Sequence, residues 1–487
     1  MTIINYLEKQ VREIPNNNAF ISDKGIVTYS ELYDKVRRVG SAINEFRKPV
    51  LLYLDKSLEL VYSMLGVVYS GNYYVVGDTH MPDDRLQLII DNVEPAYIIT
   101  DKRHASKFDN PLLIDELLEH EILDISEKRS KIVDTDIMYI LYTSGSTGVP
   151  KGTILNHKAV LSYLDWFTEE FNINHDTIFG SQTQFYFSMS ISDFYGTIYK
   201  GASLVLIPKM YFSFPIKLVE MLEKYNVNTL YWTPSGLSIL VNSNALDKIR
   251  PNSIKNILFA GEVMPVKIIN KLKKYYNDAL YANLFGPTET VDICTFYKLD
   301  REFRDDEVLP IGVSCKNCDC FLLDENNKLS DKGELVVRGS FLATGYYKNP
   351  EKTKSSFVQN PLNNLYDELI YRTGDIVHIE NGIYYYDNRK DFQIKKNGYR
   401  IELGEIEYAA NLVIEDSIAV YDNTHEVIGI FYLGNMQEEE LIKELRDKIP
   451  SYMMPDKVIK IERITYNANG KKDRNYYKKT LEDLWIK

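Results

Sequence analysis

Between residues 143 and 152 the chain reads TSGSTGVPKG, directly after the apolar run IMYILY. Gly145 and Gly148 let the backbone bend so that successive N–H groups face one point. Thr143, Ser144, Ser146 and Thr147 add hydroxyl donors, and Lys151 adds a positive charge. A buried strand that ends in donors and a cation is suited to an anion, and the pattern predicts a phosphate cradle. Its spacing is not G-x4-G-K-[ST], so it is not the common nucleotide loop. Any one of these residues fits a polar turn; ten in a row after a strand do not.

The cysteines are the other cluster with chemical promise. Cys294, Cys315, Cys318 and Cys320 lie close in sequence, the last three as C-x2-C-x-C. Structural zinc prefers two well-spaced ligand pairs, and here the pattern falls in an alternating run, CDCFLLDE, that reads as a strand. These thiols are read as buried small hydrophobes. So few thiols in so long a chain point to a reducing cytoplasm.

The elements that must position these residues come from a chain of 487 residues, enough for about three domain-sized units at ~150 residues each. Hydrophobic residues make up 45% and charged residues 26%, as in ordinary globular proteins. No stretch approaches the ~20 apolar residues of a membrane helix, and LVYSMLGVVY suits a buried helix better. The opening MTIINYLEKQVREI has no apolar signal core, so no export is expected. A formal charge of −12 has the wrong sign for a nucleic-acid partner.

From Thr28, TYSELYDKVRRVGSAINEF predicts an amphipathic helix that begins with Ser30 and Glu31 and carries Leu32, Val36, Val39, Ile43 and Phe46 on one face. VLLYLD, LELVYSMLGVVYSG and YYVVGD then read as strand, helix and strand. RLQLIIDNV to AYIITD repeats that unit, as does PIKLVEMLEKYNV through TLYWTPS to NILFAGE. Such alternation predicts an α/β fold with parallel or mixed sheets flanked by helices, and ligands beyond the carboxyl ends of the strands. Past residue 300 short strands and turns predict a β-rich subdomain. A charged run and a fresh set of helix and strand signals place a boundary near Asp391, giving a large domain over 1–390 and a small α+β domain over 391–487.

YTSGSTGVPKG resembles the signature loop of the adenylate-forming superfamily: acyl-CoA synthetases, nonribosomal peptide synthetase adenylation domains and firefly-type luciferases. Other motifs of that family follow in order. They are NLFGPTET at 283–290, GELVVRGSFLATGYY at 333–347, YRTGD at 371–375, RKDFQIKKNGYRIELGEIE at 389–407 and NGKKDR at 469–474. YRTGD with GPTE and NGKKDR is most similar to the amino-acid-activating branch, which includes the ligases that load D-alanine onto a separate carrier protein.

The resemblance implies two steps: a carboxylate attacks the α-phosphorus of ATP to give an acyl-adenylate and pyrophosphate, and a phosphopantetheine thiol then takes the acyl group. The first step needs charge neutralisation on phosphate more than acid–base chemistry. Carried over by position, Thr143 and Lys151 would hold the β- and γ-phosphates with Ser144, Gly145, Ser146, Thr147 and Gly148, and Glu289 would bind Mg²⁺. Thr288 would lie beside the α-phosphate. Phe285, where the family usually has Tyr, would stack on adenine, and Asn283 and Gly261 would meet the adenine edge. Asp375 would take the ribose hydroxyls with Arg389 nearby, and Lys471 would be the catalytic lysine. Asp391 would be the hinge of a mobile small domain, and KKNGYR with Gly398 would line the channel for the pantetheine arm. Ala468 replaces a common Pro, and Asn388 stands where Gly is usual, at an expected tight turn that Asn tolerates.

The largest departure is in the acid pocket. The branch reads F-D-x-S after the phosphate loop, its Asp pairing with the substrate ammonium; this chain reads FSMSISDFY, so Ser188 stands in that place. The same alignment adds Met189, Ser192, Ser235, Leu258, Ala260, Leu284, Asp292 and Ile293 to the pocket. Asp292 reads either as an acid that holds an amine placed elsewhere on the substrate or as a surface carboxylate. On sequence grounds, Ser188→Asp is expected to raise activity toward a small α-amino acid at least about tenfold.

The function expected is a stand-alone, ATP-dependent and AMP-forming ligase that activates a small carboxylate of the amino-acid class and loads it onto a separate carrier protein. The chain stops 13 residues after Arg474, which leaves no room for a carrier domain. An acyl-CoA ligase and a catalytically impaired nucleotide-binding relative are the alternatives. Lys151, Glu289, Asp375 and Lys471, all intact, speak against the relic.

Overall fold

The computed structural model describes residues 1–145, 150–390, 392–466 and 472–484. Two compact units divide the chain. The first comprises Met1–Asp78, Glu94–Leu141 and Gly152–Lys390; the second comprises Thr79–Val93, Tyr142–Lys151 and Asp391–Lys487.

The first predicted helix forms over Tyr29–Ser41, with Leu32, Val36 and Val39 buried. Its cap is Thr28 rather than Ser30. Thr28 Oγ1 accepts from the Glu31 N–H, and Glu31 accepts from the Thr28 N–H at 2.8 Å, a reciprocal pair that starts the helix two residues earlier. Ile43 and Phe46 lie beyond the helix end. The apolar run becomes the helix Leu58–Tyr69, buried along ten of its residues. No helix among the described residues is long and apolar enough to cross a membrane.

A nine-stranded sheet runs in the order Val313–Ser314, Thr295–Lys298, Leu280–Phe285, Asn256–Phe259, Thr229–Trp232, Ile178–Ser181, Ser203–Leu206, Asn18–Ile21 and Ile26–Thr28. Its middle is parallel, with Thr229–Trp232 registered on both Asn256–Phe259 and Ile178–Ser181. Parallel strands here are buried on both faces, Thr229–Trp232 throughout and Asn256–Phe259 from Ile257 on, and so are mostly apolar. A seven-stranded sheet carries Pro49–Tyr53, Tyr73–Val76 and Ile137–Thr143 at its centre. The strands expected after residue 300 form a five-stranded antiparallel sheet around Lys332–Gly339 and Leu369–Glu380. Two large apolar cores, one around Trp166 and Tyr195 and one around Trp232, and a small one of Leu323, Val336 and Ile370 lie in this unit.

In the second unit a hairpin pairs Gln393–Lys396 with Tyr399–Glu402. Its loop is Asn397–Gly398, both at positive φ (52° and 79°), which is the primed turn that matches strand twist and that Asn-Gly favours. A three-stranded sheet, Asp416–Asp422, Val427–Leu433 and Lys457–Lys460, packs on the helices Leu403–Asn411, Glu438–Arg446 and Arg474–Asp483. Asn388 differs from expectation. It sits in the strand Ile383–Arg389, opposite Ile376, with no positive φ, so no tight turn asks for Gly there.

Candidate active site

In the first unit the predicted residues collect at the carboxyl ends of the parallel strands. Leu258 lies in the strand Asn256–Phe259 and Ala260 follows it, while Asn283, Leu284 and Phe285 end the strand Leu280–Phe285. Gly286 must be glycine. An added Cβ would stand 2.4 Å from the Asp292 carbonyl oxygen and 2.5 Å from Ile293 Cα, both backbone. The close approach is sealed by the Cys294 N–H donating to the Phe285 carbonyl at 2.9 Å.

The chain then turns sharply. Val291 has φ 67° and ψ −62°, and the Asp292 N–H donates to the Thr290 carbonyl at 2.8 Å, which makes Val291 the centre of a γ-turn. A buried β-branched residue in that region carries about 1–3 kcal/mol of strain. The turn delivers Asp292 into the interior, where Oδ2 accepts from Ser192 Oγ at 2.8 Å, Tyr231 OH at 2.8 Å and Tyr163 OH at 3.3 Å. Asp292 is therefore a buried acid and not a surface carboxylate. Burial pushes its carboxyl above the usual range, and the hydroxyls of Ser192, Tyr231, Tyr163 and Ser188 oppose that shift. Met189, Ser192, Leu284 and Ile293 are buried beside these elements. Ser235 opens the helix Pro234–Asn242, and its N–H and hydroxyl both bond to Glu262, at 2.9 and 2.7 Å.

The aromatic face and the acid expected at ribose are linked. Phe285 lies 5.8 Å, centroid to centroid, from Tyr386 in the strand Ile383–Arg389. Three residues on, Arg389 Nη1 donates to Asp375 Oδ1 at 2.9 Å and Nη2 donates to the Thr373 carbonyl at 3.0 Å. The register that pairs Asp375 with Arg389 comes from the antiparallel hairpin itself. Asn283 Nδ2 donates to the Pro310 carbonyl at 2.8 Å. Gly261 has φ 90°, open to glycine alone at no strain. Glu289 is fully buried in the short turn Thr288–Thr290 and accepts the Tyr346 hydroxyl at 2.7 Å.

Sequence reasoning missed a half-buried lysine. Lys56 donates to both the carbonyl and the hydroxyl of Ser181, each at 2.9 Å. The Ser181 hydroxyl and the Lys56 charge in turn stabilise the Asp193 carboxylate. Burial pushes the Lys56 ammonium down and the Asp193 carboxyl up, and their mutual attraction opposes both. The only sequence signal is an acid and a base inside otherwise buried segments. Lys56→Met should leave Asp193 without its cation and lower unfolding stability by about 3 kcal/mol in urea titrations. Adding Asp193→Asn should restore part of that loss; two additive losses would deny the pairing.

In the second unit, Thr143 ends a strand with its hydroxyl buried and without a hydrogen-bond partner among the described residues. Ser144 Oγ donates to the Arg400 carbonyl at 2.7 Å, and the Gly145 N–H donates to Glu405 Oε2 at 3.3 Å. An anion, here the carboxylate of Glu405, thus meets a loop N–H, and Arg85 pairs with the same carboxylate. Lys151 begins the next strand. Ser146, Thr147, Gly148, Asp391 and Lys471 lie outside the described residues.

All four cysteines are buried free thiols, with Cys318 and Cys320 sulfurs 4.0 Å apart on the strand Cys318–Leu323.

Comparison with known proteins shows which family the chain resembles. The D-alanine–D-alanyl carrier protein ligase of Bacillus cereus (strain G9842) is 30% identical over 514 residues, covering 99% of this chain and 100% of that protein. The ligase of the same name from Bacillus thuringiensis (strain Al Hakam) is 30% identical with the same coverage. Among solved structures, the Vibrio cholerae adenylation domain AlmE, in complex with glycyl-adenosine-5′-phosphate, superposes with a TM-score of 0.84 at 18% identity, over 99% of this chain and 98% of that one. Residues 7–347 match the family described as AMP-binding enzyme, and the chain belongs to that family of ATP-using, adenylate-forming ligases.

Proposed function

We propose that this enzyme activates a small carboxylate of the amino-acid class and transfers it to the phosphopantetheine thiol of a separate carrier protein. In the first step a carboxylate oxygen bonds to the α-phosphorus of ATP, and the bond to the β,γ-unit breaks with its electrons leaving on pyrophosphate. In the second the thiol sulfur bonds to the acyl carbon, and AMP and the thiol proton leave. One arrangement carries this function: a buried acid ringed by hydroxyls and an aromatic face follow the end of one strand, and that face meets Tyr386 on the strand that carries the Arg389–Asp375 pair. The carrier-ligase relatives support the choice of acceptor.

Phe285 offers its face to adenine and Asp375, oriented by Arg389, offers its carboxylate to the ribose. Thr143, Lys151 and the intervening loop neutralise the phosphates, with Thr288 at the α-position. Glu289, an oxygen donor held by Tyr346, suits a hard divalent cation and would give Mg²⁺ one ligand. When bound, Mg²⁺ supplies charge neutralisation on the phosphates. Residues 1–390, apart from the segments Thr79–Val93 and Tyr142–Lys151 that group with the second unit, form the adenylation core, and residues 391–487 form a small domain that reorients about Asp391 between the steps. The free thiols suit a cytoplasmic setting.

The test is ATP–pyrophosphate exchange over a panel of amino acids and simple acids, followed by transfer of the radiolabelled acyl group. A phosphopantetheinylated carrier should accept it and coenzyme A should not. Exchange with no acid at all would overturn the function, and transfer to coenzyme A alone would make the enzyme a coenzyme A ligase.

For Ser188→Asp we expect the opposite of the sequence-based outcome. The Ser188 hydroxyl is one of the groups that oppose the upward shift of the buried Asp292 carboxyl. A second buried carboxylate there would repel the first. Exchange with the best amino acid should fall at least about tenfold in this variant. A gain would show that the two side chains do not share one site.

A further inference from the structure

The interior around the start of the helix Ser190–Lys200 holds two carboxylates, Asp193 and Asp292, both buried to 2% exposure or less. The positive charge of Lys56 belongs to Asp193, through Ser181. Asp292 has only neutral donors: Ser192, Tyr231 and Tyr163, with Ser188 close by. No Lys, Arg or His forms an ion pair with it among the described residues. Hydroxyls offset part of the desolvation of a carboxylate but leave its charge uncompensated, and a buried uncompensated charge is strongly disfavoured. The fold nevertheless strains Val291 to place Asp292 there.

We infer that Asp292 is the specificity-determining residue that pairs with an ammonium group on the acid to be activated, so the substrate is a small amino-bearing carboxylic acid whose amine completes the buried charge balance. This rests on the ligase function proposed above. Position 188 carries a hydroxyl and not an acid, and that hydroxyl is among the groups that stabilise the Asp292 carboxylate. Ser192, Tyr231 and Tyr163 fix the carboxylate from behind through a single oxygen, Oδ2. A cation arriving from the side of Ser188 therefore meets a carboxylate already oriented for it. Pairing would also remove the repulsion between Asp292 and Asp193 that burial enforces.

The experiment is ATP–pyrophosphate exchange for wild type and Asp292→Asn over one panel: D- and L-alanine, glycine, β-alanine, 4-aminobutyrate, and the amine-free propionate and isobutyrate. In wild type an amine-bearing acid should exceed propionate by about 100-fold in kcat/KM, the scale of a charge pair formed in a desolvated site. Asp292→Asn should erase that preference, mainly through KM for the acid, while the KM for ATP stays unchanged. Tyr231→Phe removes one bond that orients Asp292 and should raise KM for the amine-bearing acid by about fivefold with little change on propionate. Propionate or isobutyrate matching the amino acids in wild type would overturn the inference while leaving the ligase intact. So would Asp292→Asn retaining the preference. Silence across the whole panel would instead remove the ligase function, and the inference with it. If Asp292→Asn does not fold, the wild-type panel and Tyr231→Phe decide alone.

Discussion

Lys471→Ala is expected to reduce acyl-adenylate formation about 1000-fold while leaving thiol transfer from a supplied acyl-adenylate within a few fold of wild type. Negative charge builds on the oxygens around the α-phosphorus as the carboxylate attacks, and a lysine at that point stabilises the transition state more than the ground state. Thiol attack on the acyl carbon generates no such charge on a phosphorane. Lys471 itself lies outside the described residues, but its shoulders are well held. Tyr466 and Lys472 form a β-bridge, and the Asp473 N–H donates to the Thr465 carbonyl at 2.9 Å. Lys472 Nζ binds the Ser417 carbonyl at 2.8 Å, and Arg474 pairs with Glu407 at 2.6 Å. Lys472 is tied to the three-stranded sheet of the second unit, and Lys472→Ala should cost stability with less effect on the first half-reaction. Equal loss of both half-reactions in Lys471→Ala, each measured alone, would count against a lysine that serves only one of them.

Much of the fold is legible because its signals are local. Strand–helix–strand alternation from residue 50 to 76 survives intact, since each element buries its own apolar run. The helix at Tyr29–Ser41 is legible in its face but not in its cap, because Thr28 and Ser30 are equally good cap residues and only the reach of Glu31 decides between them. In the site, Asp375 and Arg389 are joined by a hairpin register that motif order already hints at. Asp292 shows the limit. Its acidity is visible in the sequence, yet its burial depends on a γ-turn at Val291 that no propensity favours and on hydroxyls 61 to 129 residues away in sequence. Lys56 is illegible for the same reason: Ser181 is 125 residues distant, and a lone lysine after a strand is ordinarily solvated. The expectation of a tight turn at Asn388 failed where a family pattern was read without the backbone, which is extended strand there.

Glu289→Gln should lower ATP–pyrophosphate exchange about 300-fold, within the range found when one preorganised electrostatic group is removed from an active site. The substitution keeps shape and hydrogen bonding. Glu289 is fully buried, its Oε1 accepts the Tyr346 hydroxyl at 2.7 Å, and its backbone carbonyl accepts the Ala343 N–H at 2.8 Å. A glutamine carbonyl can take the same phenol, so the melting temperature should change by no more than about 4 °C. What is lost is the charge, and with it the anionic oxygen proposed above as a ligand for a divalent cation. The concentration of Mg²⁺ giving half-maximal exchange should therefore rise in Glu289→Gln, while the KM for the acid stays near wild type. Tyr346→Phe separates charge from position. It leaves the carboxylate but frees one of its oxygens from the phenol, on a strand whose N–H is pinned by Thr353 Oγ1 at 2.9 Å. Exchange should fall about tenfold, with added Mg²⁺ recovering much of it, because a mispositioned ligand still carries its charge. Wild-type exchange by Glu289→Gln at limiting Mg²⁺ would remove Glu289 from the metal site and leave it a packing residue beneath the strand Gly345–Tyr346.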